Sequence, residues 1–206
     1  MQTNERCLLC DKPLFNKGNL YEIVFMEDLI CFGCRNKWLK NKKKYSINDQ
    51  KVYSSYIYDD SFSSALIQYK ECLDEVLKDI FLYKNLNWFK LKFYNYSIVL
   101  APSSDKKIKE RGFNHLKKMF EQTNMEIIDC LYKTKDISQK TLDKSSRDKI
   151  DEVIQIKDVD IYKNIVLVDD VCTTGSTLKT CIKLLKPKVK SLMVYTVSTN
   201  YKNVNK

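Results

Sequence analysis

The chain has 206 residues, 44% of them hydrophobic, enough for one α/β domain with a small appendage and too apolar for global disorder. No apolar run reaches bilayer length and Met1-Gln2-Thr3-Asn4-Glu5 lacks the basic and apolar regions of a signal peptide, so no membrane insertion and a cytoplasmic location are expected. The formal net charge of +10 favours polyanionic partners: nucleic acid, anionic lipid or a phosphorylated substrate.

Cys7-x-x-Cys10 and Cys31-x-x-Cys34 open the chain, separated by residues 11–30. Four thiolates in two such knuckles can close a tetrahedron around one structural Zn²⁺. Two disulfides or a redox pair are the competing readings, but disulfides are rare in the cytosol and a redox site needs only one of the pairs. Turn signals at 11–13 and 16–19, with a strand-like run at 20–25, complete the layout of a zinc ribbon over residues 1–40. Metal binding is then expected to supply about 10–16 kcal/mol toward folding such a small unit. Four protein ligands leave no open position for catalysis.

Residues 41–48 read as a basic linker, and residues 49–206 as the main domain. Arg35, Lys37, Lys40, Lys42, Lys43 and Lys44 form the densest basic cluster, with Trp38 inside it. It is either a solvated lysine surface or part of a single-stranded-DNA surface, where cations track phosphates and an aromatic stacks on bases.

A strand is predicted over 52–58. A helix capped by Ser61 follows, with Phe62, Ala65, Leu66, Tyr69, Leu73, Val76, Leu77 and Ile80 on its buried face and Cys72 among them. A buried strand over 97–101 stops at Pro102, and a loop carries Lys106, Lys107, Lys109 and Arg111. Helical spacing resumes over 113–120, a short strand is expected within 127–131, and the polar stretch 133–149 is expected to be mobile. Strand 165–168 leads through Asp169 and Asp170 into a turn, a helix burying Leu178, Cys181, Leu184 and Leu185, and a last strand over 192–197. Alternating strands and helices imply a mostly parallel sheet, with ligands at the strands' C-terminal ends, where Pro102 and Asp169 both fall.

The segment 165–177 carries the sharpest chemistry. Thr173, Thr174, Gly175, Ser176 and Thr177 gather hydroxyls and backbone N–H groups at a helix N-terminus, which suits a phosphate monoester. The adjacent carboxylates repel phosphate but suit hydroxyl donors beside it. A sugar phosphate satisfies both halves. Cys172 reads as a tolerated small residue in the turn.

These residues resemble the phosphoribosyl-pyrophosphate (PRPP) motif of the type I phosphoribosyltransferases. The resemblance implies that 173–177 hold the 5′-phosphate while Asp169 and Asp170 face the ribose hydroxyls. Ala101-Pro102-Ser103-Ser104 and Arg111-Gly112-Phe113-Asn114, lying between a four-cysteine ribbon and this motif, extend the likeness to the ComF family of late competence proteins. Gln139 and Arg147 also resemble a family segment, with Ile150 at its asparagine position. His115, the only histidine, stands where that family often has glutamine and is expected to be a polar surface residue.

The resemblance implies an α/β fold of type I phosphoribosyltransferase kind. Pro102, Lys107, Arg111 and Asn114 join 169–170 and 173–177 around PRPP, and Mg²⁺ arrives with it. Asp169, Asp170 and Arg111 are the implied catalytic residues for displacement of pyrophosphate at the anomeric carbon. The same resemblance also implies another role: a non-catalytic competence factor that binds single-stranded DNA, works with a DNA-uptake helicase and uses the PRPP site only for ligand binding.

Overall fold

The computed structural model describes residues 6–14, 29–43, 45–134 and 154–200. The turn at 16–19, the strand at 20–25, Lys44, Gln139, Arg147 and nearly all of the stretch expected to be mobile lie outside the described residues.

Eight strands form among them: β1 (Tyr45–Ile47), β2 (Gln50–Ile57), β3 (Ser97–Leu100), β4 (Ile127–Ile128), β5 (Leu131–Lys133), β6 (Ile154–Ile156), β7 (Asn164–Cys172) and β8 (Ser191–Thr199). The helices are α1 (Phe32–Asn36), α2 (Asp60–Glu71), α3 (Leu86–Lys92), α4 (Asp105–Arg111), α5 (His115–Glu121) and α6 (Ser176–Leu185). Six strands make one sheet in the order β1-β2-β8-β7-β3-β4, parallel throughout except for the β1–β2 hairpin. β5 and β6 pair separately as an antiparallel ribbon.

Both faces of the sheet are covered, so β7 reads as a continuous apolar run. Its pleat sends Val166 and Val168 to one core, with Phe62, Leu66 and Tyr69 of α2 and Leu116, Met119 and Phe120 of α5. Ile165 and Leu167 point the other way, into a core with Leu178, Cys181, Ile182 and Leu185 of α6.

Several expectations are corrected. The linker over 41–48 contains β1, joined to β2 through Asn48 and Asp49, both at positive φ (47° and 62°). Two such residues in a two-residue connection match the twist of a hairpin, and Asn and Asp tolerate the conformation. The cap of α2 is Asp59, which accepts from the Phe62 backbone N–H at 2.9 Å, and not Ser61. Replacing Asp59 with Ala is expected to cost about 0.5–2 kcal/mol, read as a lowered urea midpoint. The helix stops at Glu71, ahead of Leu73 at φ 61° and a 3₁₀ turn over Glu75–Asp79. Leu73, Val76 and Cys72 are therefore exposed, whereas Leu77 and Ile80 are buried as expected.

The basic loop after Pro102 is α4, capped by Ser104 and closed by Gly112 at φ 78°. The single strand within 127–131 resolves into β4 and the start of β5, which belong to different sheets. Trp38 is not a surface aromatic. It is 4% exposed, stacked on Phe81 at 5.7 Å between ring centroids, with the Arg35 guanidinium 4.8 Å from its own ring centroid. Arg35 is buried too and donates to the Ile80 carbonyl at 2.7 Å. Lys37, Lys40, Lys42 and Lys43 remain exposed.

Candidate functional site

From β3 the chain moves outward to β4; from β7 it moves the opposite way to β8. The sheet thus reverses its winding between β3 and β7, and a crevice opens beyond the C-terminal ends of such a strand pair. The Ala101 backbone N–H donates to the Val168 carbonyl at 2.8 Å, which holds the two strand ends side by side. A cavity of about 360 Å³ lies there, lined by Pro102, Lys107, Arg111, Asp169, Asp170, Thr173 and Thr177, together with Lys70, Glu71, Ser103, Ser104, His115 and Lys133.

Seven of the expected ligand residues therefore share one crevice. Thr174, Gly175 and Ser176 form the adjoining turn, where the Thr174 and Ser176 hydroxyls lie 3.0 Å apart and Gly175 adopts φ 74°. A Cβ at Gly175 would come within 2.9 Å of the Ile47 Cδ1 methyl, so the turn is seated on β1, and it is the positive φ that calls for glycine. Asn114 does not join this crevice. It caps α5, accepting from the Lys117 backbone N–H at 3.2 Å, and lines a neighbouring cavity across the Pro102 loop. Cys172 is the buried last residue of β7 and not part of the turn.

The expectation that His115 sits on the surface is corrected: it is 5% exposed, and its Nε2 lies 2.7 Å from Asp170 Oδ2. Lys70 of α2 forms an ion pair with the same oxygen. Arg111 Nη1 is 3.4 Å from His115 Nδ1, and Arg111 Nη2 donates to Glu71 Oε1 at 2.7 Å. Since guanidinium can only donate, Nδ1 accepts and the imidazole proton sits on Nε2, which donates a hydrogen bond to Asp170 Oδ2. The Tyr69 hydroxyl donates to the His115 backbone carbonyl at 2.8 Å, fixing the start of α5.

The electrostatics separate the two acids. Burial opposes ionisation of Asp170, but Lys70 and His115 outweigh it and hold the carboxyl well below the usual carboxylate range. Burial, and then the charge of Asp170, push Asp169 up to about 8. Burial holds the His115 imidazole below its ordinary value despite Asp170.

Lys70, Glu71 and His115 were missing from the site read from the motifs. Two of them carry a local signal. Lys70 lies four residues after Leu66, and His115 four before Met119, so both occupy the buried stripe of a helix. A cation or imidazole on such a stripe requires a partner.

At the N-terminus, Cys7, Cys10, Cys31 and Cys34 place their sulfurs all within 4.8 Å of one another, and those of Cys10 and Cys31 are 3.7 Å apart. Tetrahedral zinc with bonds of about 2.3 Å requires sulfur–sulfur separations of about 3.8 Å, so the four thiols fit one metal ion such as zinc.

Fold and crevice together define an α/β protein with a mostly parallel sheet and a ligand cleft at the reversal of its winding. The ComF-family resemblance extends over most of the chain: it is 27% identical to competence protein ComFC of Streptococcus pneumoniae (strain ATCC BAA-255 / R6) over 189 residues, 90% of this chain and 84% of that one. No family model matches. Among solved structures, the chain is similar to a hypoxanthine phosphoribosyltransferase from Staphylococcus aureus, at 15% identity and TM-score 0.43, covering 63% of this chain and 66% of that one, just under two thirds. It is also similar to a hypoxanthine-guanine phosphoribosyltransferase from Bacillus anthracis str. 'Ames Ancestor', at 14% identity and TM-score 0.41, covering 65% and 72%. Among the described residues no helix is long and apolar enough to cross a membrane.

Proposed function

We propose that the crevice binds PRPP or a related ribose 5-phosphate ligand, and that the chain serves DNA uptake in natural transformation, in the cytoplasm. The observation that carries the reading is the meeting of the 169–170 carboxyls, Thr173, Thr177, Lys107 and Arg111 around one cavity. The turn at 173–177 takes the 5′-phosphate at the start of α6. The carboxylate end takes the sugar hydroxyls, and Lys107 and Arg111 face the pyrophosphate. Mg²⁺ comes with PRPP, held by the ligand's oxygens and by water, and supplies positive charge beside the leaving group. Zn²⁺ held by Cys7, Cys10, Cys31 and Cys34 is structural.

With a nucleophile present, displacement at the anomeric carbon releases pyrophosphate. The chain's part is to fix the ribose and to stabilise negative charge near Arg111. Calorimetry with PRPP and Mg²⁺ tests the site: binding is expected, and Asp169→Ala with Asp170→Ala is expected to abolish it. Unchanged affinity in the double variant would place the ligand elsewhere.

The same geometry favours a second reading, in which PRPP is a ligand only and the chain binds single-stranded DNA beside an uptake helicase. Lys70 and His115 already engage Asp170, and Glu71 already engages Arg111, so two of the expected catalytic groups are neutralised by the chain itself. A pyrophosphate-release screen with bases, ammonia and amines separates the readings. Release marks a transferase, and silence with PRPP binding intact marks a binding factor.

A further inference from the structure

β7 remains paired with β8 as far as Cys172, so the acidic pair lies inside a strand and not in a loop. The two carboxyls have different neighbours. Asp170 is turned toward α2 and α5, whose Lys70 and His115 are its side-chain partners. Asp169 lies near enough to α6 for its charge to add to burial in raising the Cys181 thiol.

We propose that the two acids do different work: Asp169 is the carboxyl that contacts the sugar, and Asp170 is a positioning residue that ties α2 and α5 to the end of β7 through Lys70 and His115. The division rests on the ribose-phosphate reading for Asp169; the tie at Asp170 stands on the network alone. Both partners converge on one oxygen, Oδ2. His115 is oriented in turn by Arg111, and Arg111 by Glu71. A sugar hydroxyl seeking that oxygen would have to displace Lys70 or His115, leaving a buried polar group without its partner. Asp169 is half-buried and lines the crevice; its Oδ1 accepts from the Asp170 backbone N–H at 2.9 Å.

Two measurements on the full chain test this. The first is a thermal-unfolding cycle of wild type, Asp170→Asn, Lys70→Met and the double variant. Each single change leaves a buried charge uncompensated, so both should melt earlier and the double should regain most of the loss. Additive losses would overturn the tie. Should Asp170→Asn fail to fold alone, a folded double still supports the tie, and an unfolded double overturns it.

The second is calorimetry with PRPP and Mg²⁺. Asp169→Ala should melt like wild type and bind about tenfold more weakly, as for the loss of one hydrogen bond to the sugar. The folded Asp170→Asn/Lys70→Met double should lose less affinity than Asp169→Ala. A folded double that loses as much affinity as Asp169→Ala would overturn the division. Absence of PRPP binding by the wild type would remove the ligand reading and with it the role of Asp169, while the unfolding cycle would still decide the role of Asp170.

Discussion

Removing the metal from the four-cysteine cluster is expected to destabilise much more than the N-terminal knuckles. Cys7 and Ile30 are buried in the same core as Trp38, Phe62, Phe81 and the helices over the sheet. The cluster is therefore a wall of the main core as well as a local staple. Binding of structural zinc carries an apparent free energy of about 10–16 kcal/mol, and whatever part of it holds Cys7 and Ile30 in place also holds the aromatic layer behind them. Purified protein should contain about one zinc per chain. Chelation, or Cys34→Ser, should lower the melting temperature of the whole molecule, followed by near-ultraviolet circular dichroism of its buried aromatics. Protein that comes out of the cell without metal, or that melts identically after chelation, would rule this out.

Trp38→Ala should cost about 3–5 kcal/mol, the range for removing a large aromatic from a packed core. The indole meets Tyr56, Phe62 and Phe81 at centroid distances of 5.3, 4.9 and 5.7 Å and also packs under the Arg35 guanidinium. Its loss leaves a cavity among rings too rigid to close it. The readout is the urea midpoint. Any affinity for single-stranded DNA, measured per folded molecule, should stay at the wild-type level, because the ring does not reach solvent. The opposite pattern, unchanged stability with weakened DNA binding, would return Trp38 to the surface.

The legible parts of this chain were those written in short range. The knuckle spacing, the apolar run before Asp169 and the hydroxyl turn after Cys172 each fit within a dozen residues, and the sheet built around them follows from alternation of strand and helix. The parts that escaped depend on distance or on single dihedrals. Leu73 and Val76 keep helical spacing after Glu71, yet Leu73 turns left-handed and both end up exposed. Trp38 among lysines looks like a solvent-facing platform until Phe62 and Phe81 fold over it. The tie at Asp170 joins residues from positions 70, 115 and 170, and no local pattern pairs them. What the two helices did show, in retrospect, was a lysine and a histidine on faces otherwise reserved for apolar side chains.

One property of the crevice has a practical side. The chain has a single histidine, and it sits against Asp170. In a proton spectrum of the unlabelled protein, the histidine contribution reduces to one pair of imidazole carbon-bound proton resonances. Those two lines belong to the centre of the network, so the exchange of crevice partners can be followed at one atom group without isotopes, tags or substitution. That one histidine makes the chain its own spectroscopic reporter.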